Sequence, residues 1–547
     1  MRPFSVAHRA ADVADVTGEV LDVLVVGAGA TGAGVALDAA SRGLSVAVVD
    51  RGDLASGTSS KSSKLIHGGL RYLENYDVLL VYEGVNEREL LQRLAPHLVR
   101  PMEFVYPILP DTDRVRMVGL GLTTYDVLAG WRNVKRHDRI SAEEAVAKAP
   151  ALAPSDVLRA YVYGDCATDD ARLVLANVVA ARRFGATVLT YAEVVSLLTD
   201  DGRVAGATVA DRLTGETYDV RARHVVNATG VWVDTLLALE DPAHQGVVRP
   251  SKGVHLVVPH HRVPLTEAAI LMPSRQGDGR SMFAIPWGRQ TILGTTDTAY
   301  DGPLDGVSVG EQDVEYVLGA CNALFHSSLS AGDVVGAWAG CRPLLRGSSE
   351  AMSDLSRRHA LSEGPTGLLT ITGGKLTTYR RMAKDVVDRI VDRDGVKARC
   401  RTDEIALGSS RQYDDVVAEV AGAAQALGVG DEEVAATLVR QHGEAAADVL
   451  SLALESGLVS PLSASACHLM AEVLYAARHE GAATLEDVFS RRTRLALRAK
   501  DAALPVALDA ALVLAREIGR DEAWAAEQVA AYEAAVRRER GAIGLEP

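Results

Sequence analysis

The chain is predicted to be an α/β protein with an all-α unit at its C-terminal end, and three observations predict it. A short buried strand, Leu21–Val26, runs into a turn where Gly27, Gly29 and Gly32 are spaced G-x-G-x-x-G, just where a helix should open. From Val247 to Trp338 the chain is richer in β-branched residues, Pro and Gly, a composition suited to a mostly antiparallel sheet. From about Asp403 to Ala542 it is rich in Ala, Leu, Glu and Arg at helical spacing. The expected architecture is a Rossmann-like dinucleotide-binding domain, an inserted antiparallel-sheet substrate domain and a C-terminal helical domain.

Taken in order, residues 1–19 form an extension, and the dinucleotide-binding domain is expected to be discontinuous over 20–100, 155–246 and 335–398. The glycines have physical reasons: the turn is tight, a pyrophosphate must approach bare backbone, and the helix must pack closely on its strand. The helix N-terminus then suits phosphates. A second strand, Ser45 to Val49, ends in Asp50, placed to accept ribose hydroxyls. Next comes a polar run from Ser56 to Tyr72, including Thr58, Ser59, Ser60, Ser63, His67, Gly68 and Gly69, which suits wrapping a larger cofactor and lining a site. Asp170 to Phe184 has helical spacing and stops at Gly185. Turns at Asp200-Asp201-Gly202 and Thr214-Gly215-Glu216 predict a β-meander. Asn227-Ala228-Thr229-Gly230 then ends a strand in small residues, so that backbone can pass close to the cofactor. Residues 101–154 and 247–334 are assigned to the substrate domain. After a short strand at Leu368 to Ile371, Gly373-Gly374 should open a helix from Leu376 to Val391. The helical domain, 403–547, has breaks at Gly428, Gly443, Pro461, Gly481 and Pro505.

Composition excludes some classes. The 547 residues carry a net charge of −15, which argues against nonspecific nucleic-acid binding and requires a local basic site for any anionic substrate. Five scattered cysteines without a C-x-x-C pair suggest neither a metal site nor a disulfide framework, and a reducing cytoplasm is expected. The opening residues include Asp12, Asp15 and Glu19 and do not read as a secretory signal. No apolar run is long enough to span a bilayer, so membrane contact is expected to be peripheral.

Several motifs carry a family resemblance: T-S-S-K-S-S-K-L-I-H-G-G-L-R-Y-L in the polar run, D-D-A-R-L-V-L-A-N at Asp169 to Asn177, N-A-T-G at Asn227 to Gly230, and I-P-W at Ile285 to Trp287. G-T-T-D at Gly294 to Asp297, G-G-K-L-T-T-Y at Gly373 to Tyr379, and T-L-E-D-V-F-S-R-R-T-R at Thr484 to Arg494 complete the set. In this order, over almost the whole chain, they resemble the FAD-dependent glycerol-3-phosphate dehydrogenases. The resemblance implies an FAD-binding fold of the glutathione-reductase/D-amino-acid-oxidase type. It also implies oxidation of sn-glycerol 3-phosphate to dihydroxyacetone phosphate by hydride transfer to flavin N5, with electrons passed to a membrane quinone. Arg440-Gln441-His442-Gly443 departs from the family, where many relatives have an aromatic residue before the glycine.

A dianionic phosphate calls for Arg as a bidentate donor and Lys as a point charge. Arg71, Arg342 and Lys375 match the family's substrate-binding positions, and Tyr72 is a candidate phosphate donor. Removal of the hydroxyl proton needs a base, for which His255 is the candidate; strand alternation places it on one face with Val257, and His67 is the rival. The Leu376 helix N-terminus, with Thr377 and Thr378 as hydroxyl donors, should favour negative charge on the flavin. Two alternatives stay open: an oxidase using O₂ and releasing H₂O₂, and a non-catalytic flavin-binding redox sensor or scaffold. The quinone's identity and the oligomeric state stay open, a homodimer being compatible.

One further expectation comes from local pattern. Between Arg114 and Arg139, apolar residues from Val115 to Trp131 are bracketed by Arg114, Arg116, Arg132, Lys135, Arg136 and Arg139. Such a segment suits the inner face of the cell membrane as an interfacial anchor, the alternative being a buried helix with solvated ends.

Overall fold

The computed structural model describes residues 2–73, 77–110, 112, 115–273, 281–325, 327–346, 358–429, 432–463 and 466–541. A first sheet of eight strands runs His359–Glu363, Leu369–Gly373, Thr217–Asn227, Leu21–Val26, Val46–Val49 and Thr187–Leu189, with Ala192–Asp200 and Arg203–Asp211 attached as a meander. Its centre is parallel, and its strands are continuously apolar because both faces are covered. Val23, Val25, Val46, Val48 and Val226 are buried against the helices Ala30–Ser41, Asp170–Arg183 and Tyr379–Asp394. The expected meander is present: Asp201 and Gly202 both take positive φ, 46° and 75°, as a tight right-twisted hairpin requires.

The second sheet has ten strands and is antiparallel except where Ala268–Pro273 runs parallel to Arg100–Ile108. It corrects two domain boundaries. Arg159–Ala167 and Gly336–Leu345, which the limits at 155 and 335 assign to the cofactor domain, pair here with Arg100–Ile108 and Val248–Pro259. Leu65–Ile66 adds at the edge. The reason is that pairing is non-local: both strands are buried along most of their length, and pattern alone does not choose between two buried sheets.

The helical unit contains Tyr413–Ala426, Glu432–His442, Ala446–Ser456, Ala471–His479, Ala507–Ile518 and Glu522–Gly541. The predicted breaks coincide with helix ends: Gly428, Gly443 and Gly481 have φ near +65°, and Pro505 starts a helical turn. Two features escaped the sequence, a small ribbon of Pro461–Ser463 with Ala466–Leu469 and a π-helical turn at Asp487–Arg492. The helix expected from Leu376 begins instead at Tyr379, preceded by a 3₁₀ turn, and ends at Gly395 in the left-handed region.

Candidate active site

One cavity of ≈ 860 Å³ runs between the two sheets, and most of the sequence-predicted site residues line it. At one end lie Gly27, Gly29 and Asp50. Gly27 has φ +105°, and a Cβ there would lie 2.7 Å from the Ala228 carbonyl oxygen. Gly32 does not reach the cavity: a Cβ there would lie 1.8 Å from the Gly27 carbonyl, so its role is helix-to-turn packing. The helix Ala30–Ser41 has Gly29 as its N-cap, without a side-chain cap or an acidic residue in its first turn. Its N-terminal dipole is therefore available to phosphate oxygens. Asp50 accepts from the backbone N–H groups of Ala28 (2.6 Å) and Gly52 (2.9 Å). Burial raises its pKa to about 6, and each oxygen keeps a lone pair for a ribose hydroxyl.

The middle of the cavity is walled by Thr58, Ser59, Ala228, Thr229 and Gly230. Asn227 lies behind this wall. Its amide donates to the Val233 carbonyl at 3.0 Å and its oxygen accepts from the Thr229 hydroxyl at 2.6 Å, which shapes the turn. Ser60 is likewise turned inward, and Gly68 is packed against Tyr125 and Val85, where a Cβ would meet the Tyr125 hydroxyl at 2.4 Å. Gly69 has φ +83° and bends the chain away. For Ser60, Gly68, Gly69 and Asn227 the expected cofactor contact thus becomes support of the wall, because each is spent on a turn or on packing beside it.

At the far end His255, Arg342, Lys375, Ser63 and His67 share the lining with Gly373, Gly374, Leu376 and Thr377. The Ser63 hydroxyl lies 2.9 Å from His255 Nε2, and the ring stacks on Trp338 with centroids 4.9 Å apart. His255 Nδ1 is buried and has no hydrogen-bond partner among the described residues. Burial first, then the cations of Arg342 and Lys64, hold the ring's pKa well below its ordinary value, so it is neutral. Arg342 lies over Gly253, where a Cβ would be 2.6 Å from Nη2, so only glycine leaves room for the guanidinium. Its Nη2 donates to the Thr295 hydroxyl at 3.0 Å, and its Nη1 is 3.4 Å from Asp297 Oδ1. The hydroxyls of Thr377 and Thr378 are engaged by the backbone of His67 and Lys375, so neither is a spare donor as expected. The side chains of Arg71 and Tyr72 lie outside the described residues.

Sequence reasoning missed Trp338, which fixes the His255 ring, and Lys64. That ammonium is buried 4.6 Å over the Trp338 ring and donates to Asp170 at 2.9 Å. It also missed Trp232, which caps the cavity wall with Arg51 stacked over it at 4.5 Å. The K in S-S-K-L-I-H was visible, but nothing in sequence said that it would be buried. The cradle of bare backbone, the open helix N-terminus and a volume within the range of cofactor pockets together fit a flavin dinucleotide.

A family model described as FAD dependent oxidoreductase matches residues 22–380, and one described as the C-terminal domain of alpha-glycerophosphate oxidase matches 400–525. The chain is 40% identical over 528 residues to glycerol-3-phosphate dehydrogenase 2 of Mycobacterium tuberculosis, covering 95% of this chain and 89% of the relative. It is 36% identical to the mitochondrial glycerol-3-phosphate dehydrogenase of Homo sapiens, covering 93% and 72%. Among solved structures, the glycerol-3-phosphate dehydrogenase from Bacillus halodurans complexed with FAD superposes with a TM-score of 0.81 at 30% identity, over 98% of each chain. The FAD-bound L-alpha-glycerophosphate oxidase from Mycoplasma pneumoniae shares the fold, with a TM-score of 0.56 at 18% identity over 70% of this chain and 97% of that one.

Proposed function

Since the chain belongs to the FAD-dependent glycerol-3-phosphate dehydrogenase family, with FAD as its cofactor, we propose that it oxidises sn-glycerol 3-phosphate to dihydroxyacetone phosphate and delivers the electrons to a membrane quinone. The observation that carries this reading is a single cavity with a dinucleotide cradle at one end and, at the other, a buried neutral histidine beside two basic side chains. FAD, when bound, supplies the hydride acceptor at N5. The substrate phosphate is held by Arg342 and Lys375, joined by Arg71 and Tyr72. His255 Nε2, already in contact with one hydroxyl, that of Ser63, takes the proton of the substrate hydroxyl, and Trp338 keeps the ring in place. Gly27, Gly29, Asp50, Thr58, Ser59 and the Ala228–Gly230 turn hold the dinucleotide.

The electron acceptor places the protein at a membrane. Among the described residues no helix is long and apolar enough to cross one. The helix Val115–Ala129 has Leu122, Tyr125 and Ala129 fully buried yet leaves Met117, Leu120 and Val127 exposed, and Trp131 after it is 77% exposed. Arg132 stacks over Trp131 at 4.7 Å, and Arg136 and Arg139 are exposed, whereas Lys135 is paired with Glu103. One apolar face in the protein and one outside it, with cations at the end, suits anchoring in anionic headgroups. Arg114 and the Arg116 side chain lie outside the described residues.

A second reading, with O₂ as acceptor, draws on the description of the C-terminal family model. The relatives at about 40% identity are named dehydrogenases, and the oxidase likeness at 18% speaks only for the fold. Anaerobic addition of glycerol 3-phosphate should bleach the bound flavin. On admitting air, slow recovery that an added soluble quinone accelerates supports the dehydrogenase, and rapid recovery in air alone, with stoichiometric peroxide, the oxidase.

A further inference from the structure

A second, smaller cavity of ≈ 120 Å³ lies where the hairpin Gly288–Gln290 of the second sheet meets the helical unit. It is lined by Arg440, Arg498, His468, Gln290 and, at its rim, the pair Arg289 and Glu433. The rim carboxylate is already taken, since Glu433 accepts from Arg289 Nε at 2.9 Å and also from its Nη2. The inner cations have no such partner. Neither Arg440 nor Arg498 makes an ion pair among the described residues, and the Nε of each is buried without a hydrogen-bond partner. Arg498 instead lies over the Trp287 ring at 5.0 Å. Burial first, and the neighbouring Arg440 cation next, pull its pKa down to about 10. His468 is 1% exposed, with Nδ1 turned to the Glu472 carboxylate at 3.0 Å and Nε2 left without a partner.

Two adjacent guanidiniums around this space supply donors for an oxyanion, and His468, whose Nδ1–H faces Glu472, offers Nε2 as an acceptor for the O–H of a hydrogen phosphate. Other buried arginines bond carboxylates, as Arg491, Arg492 and Arg494 do, or backbone carbonyls, as Arg540 does. With a net charge of −15 there is no shortage of carboxylates to place here. The volume equals roughly four waters, enough for a five-atom tetrahedral oxyanion and too small for a nucleotide. We propose that this cavity is a second anion site, separate from the catalytic cavity, which takes inorganic phosphate or the phosphate of a small monoester. The occupant fastens the helical unit to the second sheet through Arg440, Arg498 and His468 on one side and the Gly288–Gln290 hairpin on the other.

Isothermal titration calorimetry of the full-length FAD-loaded protein with sodium phosphate, at fixed ionic strength, tests this. A phosphate-binding event is expected that Arg440→Gln and Arg498→Gln each weaken by about tenfold or more, the loss of a charge-assisted contact. The same event should persist in Lys375→Ala, which removes only phosphate held in the catalytic cavity. Arg440 is a half-buried helix residue, so its glutamine variant tests the site even if Arg498→Gln folds poorly. A second arm replaces phosphate by phenyl phosphate, whose ring the cavity cannot admit. Binding of phosphate alone assigns the free ion, and binding of both assigns an ester presented at the rim. Identical isotherms for the wild type and Arg440→Gln, or a single event lost in Lys375→Ala, would overturn the proposal.

Discussion

Two of the regions in which the protein places cations use them in different ways. Along the seam between the cofactor domain and the helical unit, the buried guanidiniums of Arg172, Arg491, Arg492 and Arg494 are locked to carboxylates. Asp53 accepts from Arg491 at 2.5 Å and from Arg492 at 2.6 and 2.8 Å, Arg172 forks onto Glu480 at 2.8 Å, and Arg494 binds both Asp169 and Asp170. At the reacting end of the cavity, Arg342 lines the space beside His255, donating to the Thr295 hydroxyl at 3.0 Å and lying 3.4 Å from Asp297 Oδ1, and His255 is neutral. Short, saturated pairs fix domains. A cation that lines the cavity can act on a ligand there. The first should therefore be read out in stability and the second in catalysis.

The largest expected effect lies in the seam. Asp53→Ala strands two buried guanidiniums against each other and should cost about 3–5 kcal/mol in urea unfolding; a loss below about 1 kcal/mol would dissolve the distinction between the two regions. Next is the cradle. A Cβ at Gly29 would meet only the Ser59 hydroxyl, at 3.0 Å, which a side-chain shift relieves. Gly29→Val should accordingly fold and yet purify colourless, and a full complement of flavin in that variant would remove the cradle from the site.

At the reacting end, His255→Ala should lower kcat by about 10² or more. Arg342→Ala and Lys375→Ala should chiefly raise KM, by roughly ten- to hundredfold, as loss of about 1.5–3 kcal/mol of phosphate contact implies. Steady-state kinetics on flavin-loaded variants distinguishes the two; an unchanged kcat without His255 would move the base to His67 or to solvent.

A smaller effect concerns pH. His97, buried beside Arg172 and His442, has a pKa of about 3, and that of His255 is also depressed. The unfolded chain protonates both near about 6.5 while the native protein does not. Their contribution to stability is thus complete above about pH 6.5 and is lost as pH falls below it, by up to about 1.4 kcal/mol per unit for each group. Urea midpoints at about pH 8 and about pH 5 should show the drop, and His97→Gln should reduce it. Over the same range kcat at saturating substrate should stay level, since the base remains neutral; an acid limb of kcat centred near 6.5 would contradict the burial of His255. The smallest effect is at the surface: exchanging Arg132 and Arg136 for Glu should release the protein from anionic liposomes, each cation contributing about 1 kcal/mol, with dye-linked turnover intact.

The two regions were also unequally legible in the sequence. The cradle could be read because glycine spacing, a strand and a terminal acid are local signals, and Gly27, Gly29 and Asp50 line the cavity together. The far end was legible only residue by residue: His255, Arg342 and Lys375 could be named, but Trp338 and Lys64 acquire their roles from strands and turns distant in sequence. The packing role of one fingerprint glycine was legible and falls to Gly32, whereas that Gly68 and Asn227 support the wall from behind is visible only in the third dimension. The pairing along the seam was not legible. Thr484 to Arg494 was visible as a motif of the family resemblance, but the burial of Arg491, Arg492 and Arg494 depends on Asp53, Asp169 and Asp170, more than three hundred residues earlier.

The most direct measurement is an anaerobic titration of the FAD-loaded protein with sn-glycerol 3-phosphate, following the visible flavin band in the wild type and in His255→Ala. Prompt and complete bleaching in the wild type, slowed by about 10² or more in the variant, is the predicted result. Flavin that stays oxidised with glycerol 3-phosphate but is bleached by dithionite would contradict it.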